Sequence, residues 1–139
     1  MDARIYLLQV AKHDAIVQNK LDELARWKEA AVDVTSHISE ASVKKSGISD
    51  KVGNSVAKYL DLDAEIMETI NTAMLKRKEI IETIELLPVN EYDLLYKLYV
   101  RGMTLYEAVS EMDRSYSWGT TMHSRALKNL QNIINKDDE

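Results

Sequence analysis

Residues 98–119 read LYVRGMTLYEAVSEMDRSYSWG, and the fold turns on how this stretch is punctuated. Gly102 closes a segment whose apolar residues are Leu94, Leu95, Leu98 and Tyr99, and it suits the left-handed stop of a helix. Thr104 then stands three residues before Glu107, the spacing at which a hydroxyl and a carboxylate satisfy the free N–H groups of a new helix. Leu105, Ala108, Val109 and Met112 give that helix one apolar face. A turn through Asp113 and Arg114 leads to Ser115, a second N-cap. The helix it opens carries Gly119, Met122, Ala126, Leu130 and Ile133 on one side. Helix, short turn and amphipathic helix make a helix-turn-helix.

Toward the N-terminus, Pro88 marks a boundary, because proline cannot continue helical hydrogen bonding and disfavours helix just before it. Asn90 is the expected cap of the helix that follows. Upstream, a helix is expected over about Lys51 to Leu87. Val56, Asp63, Ile70, Arg77 and Ile84 form one seven-residue row, and Tyr59, Ile66, Ala73, Ile80 and Leu87 a second. Leu60, Met67, Met74 and Ile81 form a third, which widens the apolar seam to a face. Another amphipathic helix is expected over about Ala3 to Val34, with Leu7, Val10, Val17, Leu21, Leu24 and Ala31 on steps of three and four. Between the two, Thr35 to Asp50 is rich in serine and contains Gly47, which reads as a loop. The expected fold is therefore all-α: a long antiparallel helical hairpin over 1–87, then a small helix-turn-helix unit over 88–136. The broad face of the second helix asks for a third partner, either the C-terminal unit or a second copy. A homodimer is the simpler expectation.

Composition agrees with helices. Of 139 residues only four are Gly and one is Pro, too few turn formers for a sheet protein. The absence of Cys excludes disulfides and thiolate metal sites. His13, His37 and His123 lie in separate segments, and no pair has the spacing of a helical metal site. With no phosphate-cradling Gly loop and no nucleophile elbow, the chain is expected to be no enzyme and to carry no cofactor or metal. No apolar run is long enough to span a bilayer and the start lacks a signal-peptide pattern, so a cytoplasmic location without a membrane partner is expected.

Leu87-Pro88, Leu94-Leu95, Tyr99-Val100, Gly102-Met103-Thr104, Glu107-Ala108-Val109, Met112, Ser115 and Arg125-Ala126-Leu127-Lys128-Asn129-Leu130 resemble the promoter-reading C-terminal domain of sigma factors. Over the whole chain the sequence is similar to phage late-gene transcription regulators of the ArpU/RinA type from Gram-positive hosts. Asp50-Lys51-Val52-Gly53, Tyr116-x-Trp118 and His123-x-Arg125-Ala126-Leu127 contribute to that likeness. The resemblance implies a final helix in the DNA major groove, with Tyr116, Ser117, Thr120 and Thr121 facing base edges. Arg114, Trp118, Arg125 and Lys128 would lie toward phosphates or the helix flank, with Ser115 and Ser124 completing the surface. It also implies an apolar residue where Gly119 stands and a glycine where Asp113 stands.

The chemistry of this set is modest. Guanine is usually read by Arg or Lys and adenine by Asn or Gln, whereas these positions offer hydroxyls and an aromatic ring. Net charge is −5, and over 88–136 six basic residues face five acidic ones. The expected partner is promoter DNA, held weakly or with assistance, with host RNA polymerase or another host protein beside it. A protein-binding module that has lost DNA binding is the competing expectation. Tyr92, Tyr96, Tyr99 and Tyr106 are expected to pack, and Trp27 to serve as a hairpin or dimer contact.

Overall fold

The computed structural model describes the backbone of residues 1–40 and 46–139, with side chains described outside 31, 34–56 and 59. Every regular element in that range is helical: α1 (Ala3–Glu40), α2 (Ser46–Ile84), α3 (Val89–Leu95), a π-helical turn (Tyr96–Val100), α4 (Leu105–Glu111) and α5 (Tyr116–Asp137). α1 starts at Asp2, whose Oδ1 accepts from the N–H groups of Arg4 and Ile5 at 2.9 and 3.2 Å. The two long helices extend further than the sequence suggests. Most of the serine-rich stretch expected as a loop over 35–50 is helical, and residues 41–45 lie outside the described residues. Serine costs a helix interior only about 0.5 kcal/mol relative to Ala, which neighbouring turns readily offset. The Asp50-Lys51-Val52-Gly53 element likewise falls inside α2.

The chain divides into two compact units, and the division does not fall at Pro88. One unit comprises Met1–Ala15 with Met74–Glu139, the other Ile16–Ala73. In the first, α1 and α2 run antiparallel: Tyr6 Oη donates to Thr83 Oγ1 at 3.0 Å, and Arg77 Nε to Asp14 Oδ1 at 2.7 Å. Arg77 thus leaves the apolar seam by pairing at its edge. The same unit buries one continuous core of Ala3, Leu7, Val10, Ile80, Ile84, Leu87, Leu95, Ala126, Leu130 and Ile134. Here the C-terminal helices supply the third partner that the face of α2 requires. Tyr6, Tyr92, Tyr96 and Tyr99 pack against this core, whereas Tyr106 is 72% exposed, contrary to the expectation of packing.

In the unit Ile16–Ala73, α1 and α2 again lie side by side. Lys20 and Glu23 of α1 line one groove with Leu62, Glu65, Ile66 and Thr69 of α2. Ile66, Ile70 and Ala73 are buried, while Leu60 and Met67, members of the third heptad row, stand exposed with Trp27.

Local signals in the C-terminal segment explain its path. The chain turns after Ile84 through the Leu87 N–H to Ile84 O bond, and α3 is capped by Pro88, not Asn90. Proline is tolerated there because a residue before the first helical turn needs no N–H, and its carbonyl accepts the first helical bond from the Tyr92 N–H at 2.9 Å. α3 then widens into the π turn, where the Arg101 N–H reaches Tyr96 O at 3.0 Å. Gly102, at φ +69, ends it in the left-handed region, as expected of a helix stop.

Because Leu95, Ala126, Leu130 and Ile134 share their core with α1 and α2, residues 88–139 are expected not to fold alone. A peptide of that range should show a non-cooperative thermal profile by circular dichroism. A cooperative melt would overturn the division described here.

Candidate nucleic-acid interface

α4 and α5 are held at their starts by side chains that the sequence marks. Thr104 Oγ1 accepts from the Glu107 N–H at 3.2 Å and its hydroxyl donates to Glu107 Oε1 at 2.9 Å. Ser115 Oγ accepts from the Trp118 N–H at 3.1 Å. Ser115 therefore spends an acceptor site on opening α5. Between the helices, the Arg114 N–H reaches Val109 O and the Asp113 N–H reaches Ser110 O, the paired bonds of a Schellman turn. The left-handed residue of that turn is Asp113, at φ +55, where a glycine would be unstrained. A short polar side chain is the least costly alternative to glycine there.

Gly119 is buried between α4 and α5. A Cβ at this position would run into Val109 Cγ1 and lie 3.2 Å from Leu105 Cδ1. The apolar residue implied by the resemblance is absent because the two helices approach too closely to admit one. The rest of the inner face of α5, Ala126, Leu130 and Ile134, is also buried, and Met122 is half-buried.

Helical geometry then sends the opposite face outward. Ser117, Thr120, Thr121 and Ser124 are all exposed, and Tyr116 beside them is 55% exposed. Ser117, Thr121 and Ser124 share the face opposite the core, while Thr120 lies on its flank and Tyr116 at the helix start, three residues before Gly119. Thr120 Oγ1 donates to Ser117 O at 2.9 Å, a bond within the helix. Trp118 is half-buried, and the Arg114 guanidinium sits 5.0 Å from its ring centroid, so the two form a cation–π pair at the edge of the face. Lys128 is exposed further along α5.

Arg125 has another task. Its Nε lies 3.6 Å from Glu91 Oε1, a carboxylate only 3% exposed, while Asn129 Nδ2 contacts both Glu91 oxygens at 2.9 Å. Arg125 itself remains largely in solvent, but its charge is set against a buried anion that needs it. Lys97 is paired with Asp93 at 2.6 Å, and Arg101 with Glu111 at 2.8 Å. Among the described residues, Arg114 and Lys128 are the candidate cations with no acidic partner within ion-pair distance. The roles of Glu91 and Asn129 are not readable from sequence, since 38 residues separate the partners. Exposed Tyr106, near the start of α4, is a second feature that periodicity misplaces.

On the inner side, Tyr99 Oη and His123 Nε2 are 2.9 Å apart, with the rings stacked. Burial, and then the Arg4 charge, pushes the His123 pKa below its ordinary value. His13 is shifted the same way by burial and then by Lys76 and Lys12, and its buried Nδ1 has no hydrogen-bond partner among the described residues.

No helix among the described residues is long and apolar enough to cross a membrane, and these residues contain no cluster of His, Cys, Asp and Glu suited to a metal ion. Comparison with protein-family models, curated proteins and solved structures gave no match.

Two outcomes are expected. Gly119→Ala should destabilise the protein by about 1–3 kcal/mol in urea unfolding, because Val109 belongs to the packed core and cannot withdraw freely. A neutral or stabilising result would show that α4 and α5 have room to separate. Both shifted histidines are held neutral, so the unfolded chain binds more protons than the folded one just below pH 6.5. The stability they contribute is complete above that value and declines as pH falls toward the lowered folded values. The urea midpoint should therefore fall between about pH 7.5 and about pH 5.5, and His123→Gln should flatten that slope.

Proposed function

We propose that this protein is a phage-type transcription regulator that contacts promoter DNA, host RNA polymerase or both through its C-terminal helix-turn-helix. One observation carries the reading: α5 buries Gly119, Ala126, Leu130 and Ile134 and leaves Ser117, Thr121 and Ser124 open on its other side, with Thr120 exposed on the flank and Tyr116 exposed at the helix start. A capped helix with a packed inner stripe and a polar outer face is what a major groove accepts. Arg114 and Lys128 flank that face and are suited to phosphate contact. The contact is a modest one, since other cations of the segment already face acids. Assistance from a protein partner or a second copy belongs to the proposal, and exposed Leu60 and Met67 in the unit Ile16–Ala73 support pairing of copies. The reading involves no catalysis.

A second reading is favoured by the charge balance: a protein-binding module that inhibits or redirects a host nucleic-acid-handling protein. It requires the same open face but no phosphates, and exposed Tyr106 and Tyr116 suit a protein contact as well as DNA.

Fluorescence anisotropy of the full chain on promoter fragments across a salt series separates the two. Under the DNA reading, log affinity falls linearly with log salt, and Arg114→Glu combined with Lys128→Glu lowers that slope by about two. Arg125 is unsuitable for this test because its removal strands Glu91. Absence of salt-sensitive binding, with capture of a host protein that survives nuclease, would establish the second reading instead.

A further inference from the structure

The open face of α5 has a chemical bias beyond the capacity to touch DNA. None of Tyr116, Ser117, Thr120, Thr121 and Ser124 carries the bidentate donors that select guanine or the side-chain amide that selects adenine. The amides nearest along α5 are occupied elsewhere: Asn129 by Glu91, and Gln131 by the Ala3 N–H and Met1 O at 2.7 and 2.9 Å. Arg114 lies over Trp118, and Arg125 lies beside Glu91.

Thr120 is the informative residue. Its hydroxyl hydrogen is already given to Ser117 O at 2.9 Å. What it offers a partner is a methyl group and an oxygen lone pair, with no donor for guanine O6 or N7. Thr121 beside it is also exposed and carries a second methyl. Ser117, Thr121 and Ser124, with the Tyr116 phenol, bear hydroxyls that serve any base and so do not discriminate. The apolar atoms on this face therefore decide which base it prefers, and one base alone displays an apolar group in the major groove: thymine, through its C5-methyl.

Resting on the DNA reading above, we infer that Thr120 and Thr121 are specificity-determining residues that select A·T-rich sites by packing their methyl groups on thymine methyls. This is an apolar readout, so it adds preference without adding charge. It fits a face that has few cations to spend.

The test uses the full chain and a short duplex with an all-A·T centre, made once with thymine and once with deoxyuridine, which lacks only the C5-methyl. Affinity for the deoxyuridine duplex is expected to be weaker by roughly four-fold for each thymine methyl that the protein would otherwise bury. Thr120→Ser with Thr121→Ser keeps both hydroxyls, including the bond to Ser117 O, and removes only the methyls. That variant should bind the thymine duplex as weakly as the parent binds the deoxyuridine duplex, and should no longer distinguish the two. Equal parental affinity for both duplexes, with salt-sensitive binding intact, overturns the thymine inference while leaving the DNA reading standing. Failure to bind either duplex at any salt concentration overturns both.

Discussion

The structure of the C-terminal segment depends on the burial of one stripe of α5. Ala126 and Leu130 are wholly buried and Ile134 nearly so, at steps of four along the helix. They meet Ala3, Leu7 and Val10 from α1, Ile80, Ile84 and Leu87 from the end of α2, and Leu95 from α3. A helix with its stripe fixed has no rotational freedom left. Once Gly119, Ala126 and Leu130 face inward, the 3.6-residue period obliges Ser117, Thr121 and Ser124 to face out. The candidate interface is in this sense a by-product of the core, positioned by packing and not by contacts of its own. The long helices therefore do more than carry the C-terminal unit; their ends complete it.

Electrostatics at the rim of that core limit what the face can do. Glu91 is taken out of water, and such a carboxylate is tolerated only if its oxygens are hydrogen-bonded and a cation stands nearby. Asn129 and Arg125 meet those conditions. Lys97, itself almost fully buried, requires Asp93 in the same way, with Glu111 near both it and Arg101. Stabilising these groups consumes positive charge that a phosphate-binding surface would otherwise display. The consequence is a helix-turn-helix in which Lys97, Arg101 and Arg125 are set against acidic side chains.

Legibility in the sequence follows the range of the interaction. The caps at Thr104 and Ser115, the stop at Gly102 and the Gly119, Ala126 and Leu130 stripe of α5 involve neighbours within a few residues and are readable, although the stripe ends on Ile134 and not on the expected Ile133. So is the all-α hairpin, because the seven-residue rows of α2 and the apolar steps of α1 repeat many times. The loop boundaries are not, since serine is compatible with both helix and turn. Asn90 has the chemistry of a cap, but Pro88 occupies that place and draws Asn90 into the helix. The compact units leave no local mark because their boundary lies within continuous helices. Arg125 suits a phosphate by sequence for the same reason: nothing local announces that Glu91, far away in the chain, will be buried beside it. Tyr106 shows the reverse error, an aromatic residue whose spacing suits a core but whose side chain meets solvent.

Two residues break local rules, and the pair of breaks is informative. Asp113 takes a left-handed conformation that favours glycine, while Gly119 occupies a helix interior that favours alanine. Glycine freedom is thus absent where the turn would use it and present where the helix would not. The second break has a packing cause, since Val109 and Leu105 fill the space a Cβ would need. That close approach of α4 and α5 is possible only because position 119 has no side chain. The strain at Asp113 falls in the turn that this approach keeps short. Under the proposed function, the open face of α5, with little charge and few donors, supplies orientation and selectivity. The remaining affinity must then come from contacts elsewhere on the chain, and the exposed apolar residues Leu60, Met67 and Trp27 of the unit Ile16–Ala73 are chemically suited to provide them.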